Sequence, residues 1–91
     1  MAQFEKGKYY KSYRGDVVIQ IVDKTASGKS IYYQMENLDP KEAFRTLKRV
    51  KINNEGNEYF IFNKAYMINA KNEASWDEFR LYLQKRILAS K

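Results

Sequence analysis

Val17-Val18-Ile19-Gln20-Ile21-Val22 is the stretch on which the fold turns. Every position except Gln20 is apolar and β-branched, a composition that suits a pleated surface. At a period of two, Val17, Ile19 and Ile21 share one face, and Val18, Gln20 and Val22 share the other. A strand that is apolar on both faces belongs in the middle of a sheet rather than at its edge.

The segments on either side extend this strand into a meander. Asp23 to Ser30 is polar and contains Gly28, which suits a hairpin loop. Ile31 to Glu36 then reads as the return strand, with Ile31, Tyr33 and Met35 toward the core. Tyr32, Gln34 and Glu36 face outward, and Tyr32 becomes a candidate for partner contact. Upstream, Gly15-Asp16 reads as a turn, and residues 8–14 as a short aromatic strand. From Gly7 through Met35 this order of short strand, turn, long strand, polar loop and return strand resembles a small SH3-like β-barrel. The resemblance implies a strongly curved antiparallel sheet and carries no site residue with it.

Two segments read as helices. In Leu38-Asp39-Pro40-Lys41-Glu42, Asp39 can cap free amides, Pro40 fits the first helical position and Glu42 completes a capping box. Ala43, Phe44, Leu47 and Val50 would form its apolar stripe, with Lys41, Arg45, Lys48 and Arg49 opposite. Ser75-Trp76-Asp77-Glu78 is a second capping box. Trp76, Phe79, Leu83 and Ile87 follow at core spacing. Leu81 and Leu88 lie off that stripe and are candidates for a partner seam or a second part of the core.

Between the helices, Asn54-Glu55-Gly56-Asn57 reads as a turn. Glu58 to Phe62 reads as a strand with Phe60 on one face and Tyr59 and Ile61 on the other. Asn63-Lys64 is either a tight turn into residues 65–70 or the bend of one longer strand. The fold expected is α+β: a small antiparallel sheet or open SH3-like barrel of about four to six strands with two helices, in the order βββ-α-ββ(β)-α. With one proline and four glycines in 91 residues there is little material for a linker, so residues 1–91 are expected to form a single domain.

The composition limits the chemistry. Histidine and cysteine are both absent. The usual zinc and copper ligands, the usual neutral-pH general base and the thiol nucleophile are therefore missing. The acids are scattered rather than clustered, so no enzyme activity, no cofactor and no metal is expected. Gly28-Lys29-Ser30 ends like a phosphate-binding loop. However, Asp23 stands where the motif needs its first glycine, and a strand follows where it needs a helix. No apolar run reaches the roughly 20 residues of a membrane span. With no cysteine and no leader, a cytoplasmic location is expected.

The net charge is +6 and unevenly placed. Residues 1–14, 39–51 and 75–91 carry +3, +3 and +2, while the two stretches between them are each −1. An excess patterned in this way favours an acidic partner. In Lys8-Tyr9-Tyr10-Lys11-Ser12-Tyr13-Arg14, lysines could hold phosphates while Tyr9 and Tyr13 stack on bases. The same stretch could be an edge strand whose tyrosines pack inward and whose lysines discourage aggregation. Both hold together if Tyr9 and Tyr13 face out while Tyr10 packs.

The candidate nucleic-acid contacts are thus Lys8, Tyr9, Lys11, Tyr13 and Arg14, with Lys41, Arg45, Lys48 and Arg49 from the basic helix face. The overall character is similar to that of small bacteriophage and mobile-element proteins rich in lysine, tyrosine and asparagine. That resemblance implies either nucleic-acid binding or docking on a host protein through an acidic surface. A monomer or weak homodimer is expected.

Overall fold

The computed structural model describes residues 1–34, 47–63 and 66–89. Within them the chain forms strands β1 (Tyr9–Ser12), β2 (Val18–Lys24), β3 (Ser30–Gln34), β4 (Leu47–Arg49), β5 (Lys51–Ile52), β6 (Glu58–Asn63) and β7 (Tyr66–Ala74), then helix α1 (Trp76–Ala89). All seven strands belong to one antiparallel sheet, in the order β4-β3-β2-β1-β7-β6-β5.

The two ends of this sheet are neighbours in the chain. Val50 alone separates β4, which pairs with β3, from β5, which pairs with β6. The Val50 N–H donates to the Lys29 carbonyl at 2.8 Å, which carries the β3–β4 ladder one step further. The sheet therefore curls into a nearly closed barrel. Register shifts in the β1–β7, β2–β3 and β6–β7 pairings break the regular ladders where the sheet bends.

The alternation in the central strand sorts its residues as the sequence indicated. Val17, Ile19 and Ile21 join Tyr10, Ile31, Tyr33, Phe60 and Ile68 inside the barrel. Val18 faces outward into a second cluster with Phe79 and Leu83 of α1, flanked by Tyr9 and Tyr82. The helix thus covers the outer side of β1 and β2. Its start is local chemistry: the Ser75 hydroxyl accepts the Glu78 N–H at 3.1 Å, as in a capping box.

The N-terminal residues plug one end of the barrel. Phe4 is buried, edge-on to Tyr10 with ring centroids 4.9 Å apart. The Tyr10 hydroxyl accepts the Glu5 N–H at 2.9 Å and donates to the Gln3 carbonyl at 3.3 Å. Nothing in the sequence reading placed Phe4 in the core.

Three expectations need correction. The helix expected over 39–50 is a strand at Leu47–Arg49, and Leu47 is 52% exposed rather than part of a core stripe. Its backbone is committed to β3, through Tyr32 opposite Leu47 and Ser30 opposite Arg49. The rest of that segment, with its capping box and Phe44, lies outside the described residues. Among the described residues the sheet has seven strands, because the break at Val50 divides one run into two short ones. Trp76 is 58% exposed, lying against the Arg80 guanidinium at 5.5 Å instead of in the core. Among the described residues α1 is the one helix, and it is not long and apolar enough to cross a membrane. Asn63 pairs with Tyr66, so Glu58–Asn63 and Tyr66–Ala74 are two antiparallel strands and not one bent one.

Candidate binding surface

The basic, tyrosine-rich opening is mostly spent on the protein itself. The Lys8 ammonium lies 2.6 Å from Glu5 and 3.3 Å from Glu73. The hydrogen bond to Glu5, then that to Glu73, holds its pKa above the ordinary lysine value. The Lys11 ammonium bonds Glu78 of α1 at 2.9 Å and holds that carboxyl below its usual range. Tyr9 is half-buried beneath α1, with its ring 5.1 Å from that of Phe79. Lys8, Tyr9 and Lys11 therefore tie the helix side of the barrel together. Tyr10 packs inside, but Tyr9 is covered by the helix instead of facing out, so of the two tyrosines expected to stack only Tyr13 stands clear.

Tyr13 and Arg14 are different. They form the tip of the β1–β2 hairpin, closed by Ser12 N–H to Val17 C=O at 2.9 Å and by Gly15 N–H to Ser12 C=O at 2.9 Å. Gly15 adopts φ +78°, a conformation that costs glycine little. Tyr13 is 91% exposed. With Ser12, Asp16, Tyr66 and Met67 the two residues line an open groove of about 490 Å³.

The second basic group divides between two faces. Arg49 is opposite Ser30 and exposed. Lys48 is opposite the buried Ile31, so it lies on the inner side of β4 and is half-buried. These adjacent cations point apart because a strand alternates its faces, where a helix would have set both on one side. Lys41 and Arg45 lie outside the described residues. Lys48 does not join Lys8 and Lys11 in one patch, since β2 and β3 lie between β4 and β1 in the sheet.

A cationic row exists elsewhere, and the helical reading hid it. Leu47, Arg49 and Lys51 alternate with Lys48 and Val50 along the barrel seam, and Val50 packs on the core. The first three are all exposed. Their outer-face neighbours are Tyr32, opposite Leu47, and Tyr59, opposite Lys51. Ile61 and Met67, opposite one another on β6 and β7, continue the same outer face and are both exposed. Lys29 is exposed beside the seam, where its carbonyl holds Val50.

Among the described residues Arg49 and Lys51 have no ion-pair partner, in contrast to Lys8 and Lys11. The carboxylate nearest the row in the sheet, Glu58, is turned inward and bound to Lys24 at 2.8 Å. Asp23, opposite Tyr32, accepts the Lys24 N–H at 2.8 Å and bounds the surface on the β2 side. A period-two reading of 47–51 is the signal that would have found Arg49 and Lys51 together.

Of the partner candidates, Leu81 is 47% exposed and borders a shallow groove with Gly15, Asp16, Val18, Glu78, Tyr82 and Lys85. Leu88 lies in α1, but its side chain is outside the described residues. Tyr32 is half-buried rather than fully exposed. Among the described residues no group of three or more His, Cys, Asp or Glu is placed to hold a metal ion. No known family model matches the chain, and no curated protein and no solved structure is similar to it.

Proposed function

We propose that this chain is a non-enzymatic nucleic-acid-binding module that uses the outer face of β4, β5 and β6. The observation that carries the reading is the Leu47–Arg49–Lys51 row. It presents two cations without carboxylate partners among the described residues, on the same outer face as Tyr32 and Tyr59. Cations attract the phosphate backbone and release its counterions, and aromatic rings accept bases whatever their sequence. The net charge of +6 supports attraction to the same partner. No cofactor or metal has a part in this reading, and the module works as a monomer or weak homodimer in the cytoplasm. A phage or mobile-element setting fits the composition.

The test is a salt titration of binding to labelled DNA and RNA. Arg49→Glu combined with Lys51→Glu is expected to weaken every sequence alike and to reduce the log–log salt slope by about two. Lys8→Gln is expected to leave affinity nearly unchanged, because Lys8 already serves Glu5 and Glu73. Absence of binding to any nucleic acid at low salt would overturn the proposal.

Exposed Leu47, Ile61 and Met67 favour a second reading, in which the same face docks on an acidic protein surface. A single stoichiometric protein partner in a pull-down, with nucleic-acid affinity no better than about 10⁻⁴ M, would select it.

A further inference from the structure

The seam and the hairpin tip are parts of one outer surface. From Arg49 and Lys51 the surface crosses Tyr59 and Ile61 on β6, then Met67 on β7 in register with Ile61. Met67 lines the groove that also holds Tyr13 and Arg14. Cations therefore stand at both ends of a path whose middle is apolar and aromatic. At the ordinary strand spacing the path from β5 across β6 and β7 to β1 is about 14 Å.

We infer that the ligand of this surface is a single strand that crosses the β-strands from the seam to the hairpin tip and stacks a base on Tyr13. The inference rests on the nucleic-acid reading and narrows it. A duplex offers a smooth surface mainly its phosphates, which would leave Ile61 and Met67 desolvated against charge. An unpaired strand offers phosphates to Arg49, Lys51 and Arg14 and the flat apolar faces of its bases to the residues between them. Tyr13 suits the terminal stack because it stands clear of the protein beside Arg14.

The experiment compares binding of the full chain to a labelled unstructured homopyrimidine strand and to a duplex of equal length, at low salt. The single strand is expected to bind more tightly. Tyr13→Ala is expected to weaken it about 5- to 100-fold while leaving duplex affinity and the salt slope unchanged, and Tyr13→Phe to retain the wild-type value. Tyr13 carries no packing in the barrel, so these variants keep the fold, which circular dichroism checks. Equal binding of duplex and single strand would overturn the inference while the nucleic-acid reading stood. So would an unaffected Tyr13→Ala together with a damaging Arg49→Glu. No binding of either probe would overturn both.

Discussion

Lys24 and Glu58 meet at 2.8 Å across 34 residues of sequence, and the same Glu58 oxygen accepts the Phe4 N–H at 2.8 Å. The Glu58 side chain is only 9% exposed, so this carboxylate is shared between the charge of β2 and the backbone of the N-terminal plug. Ala2 and Asn57 add to the same junction, through Ala2 N–H to the Asn57 side chain at 2.7 Å and Glu58 N–H to the Ala2 carbonyl at 2.9 Å.

Removing that carboxylate takes a bond from two partners at once. Glu58→Ala is expected to lower stability by about 2–4 kcal/mol, because it leaves the buried Phe4 amide unsatisfied and the partly buried Lys24 ammonium with only the Phe4 carbonyl at 3.3 Å. Urea unfolding measures this, and a loss below about 0.5 kcal/mol would show that the plug holds without Glu58.

Neighbouring positions on β6 face opposite ways, and their mutants should separate accordingly. Phe60→Ala opens the barrel core and is expected to cost about 3–5 kcal/mol. Ile61→Ala changes the outer face and is expected to cost less than about 1 kcal/mol. Similar losses at the two sites would contradict the alternation of β6.

Alkali should loosen the N-terminal plug. Burial raises the Tyr10 phenol above its ordinary value, so the folded state keeps a proton that the unfolded chain loses near pH 10. This contribution to stability is whole below the unfolded value and is lost as pH rises through the folded one. Lys8, raised chiefly by its hydrogen bond to Glu5, works in the same direction. Tyr10→Phe is expected to blunt the alkaline fall, as read from denaturation midpoints between pH 8 and about pH 11.

Acid should act through α1. Lys11 lowers the Glu78 carboxyl, so this contact stabilises the fold above the usual carboxylate range and is lost as pH falls through the lowered value. Lys11→Gln is expected to remove that part of the acid dependence and leave the alkaline part intact.

What was legible in the sequence was local. The Ser75 capping box lies within one turn of helix, and its bond to Glu78 needs no distant partner. The inward set Val17, Ile19 and Ile21 follows from alternation alone. The misread parts depend on residues far away in the chain. Lys8 and Lys11 look free until Glu73 and Glu78 arrive from 65 and 67 positions further on. Leu47 to Arg49 carry residues that suit a helix, but pairing with β3 overrides that local preference. Once that stretch is a strand, Lys48 of the expected cationic cluster turns inward. The exposed pair is Arg49 with Lys51, a residue that belongs to the same basic segment but that the helical spacing left off its cationic face. The reach of Tyr13 could be proposed from composition, but its neighbourhood with Met67 depends on the fold.

Val50 gives the seam a parity. Because one residue joins β4 to β5, both cations keep the same phase relative to the barrel wall. Losing or gaining a single residue there would turn Lys51 toward the interior, or else force Arg49 inward to keep it out. A two-residue insertion would preserve the phase and only lengthen the loop. The surface is thus far more sensitive to whether an insertion is odd or even than to how long it is. Homologous chains, if they use this face, should differ in length between Arg49 and Lys51 by even steps.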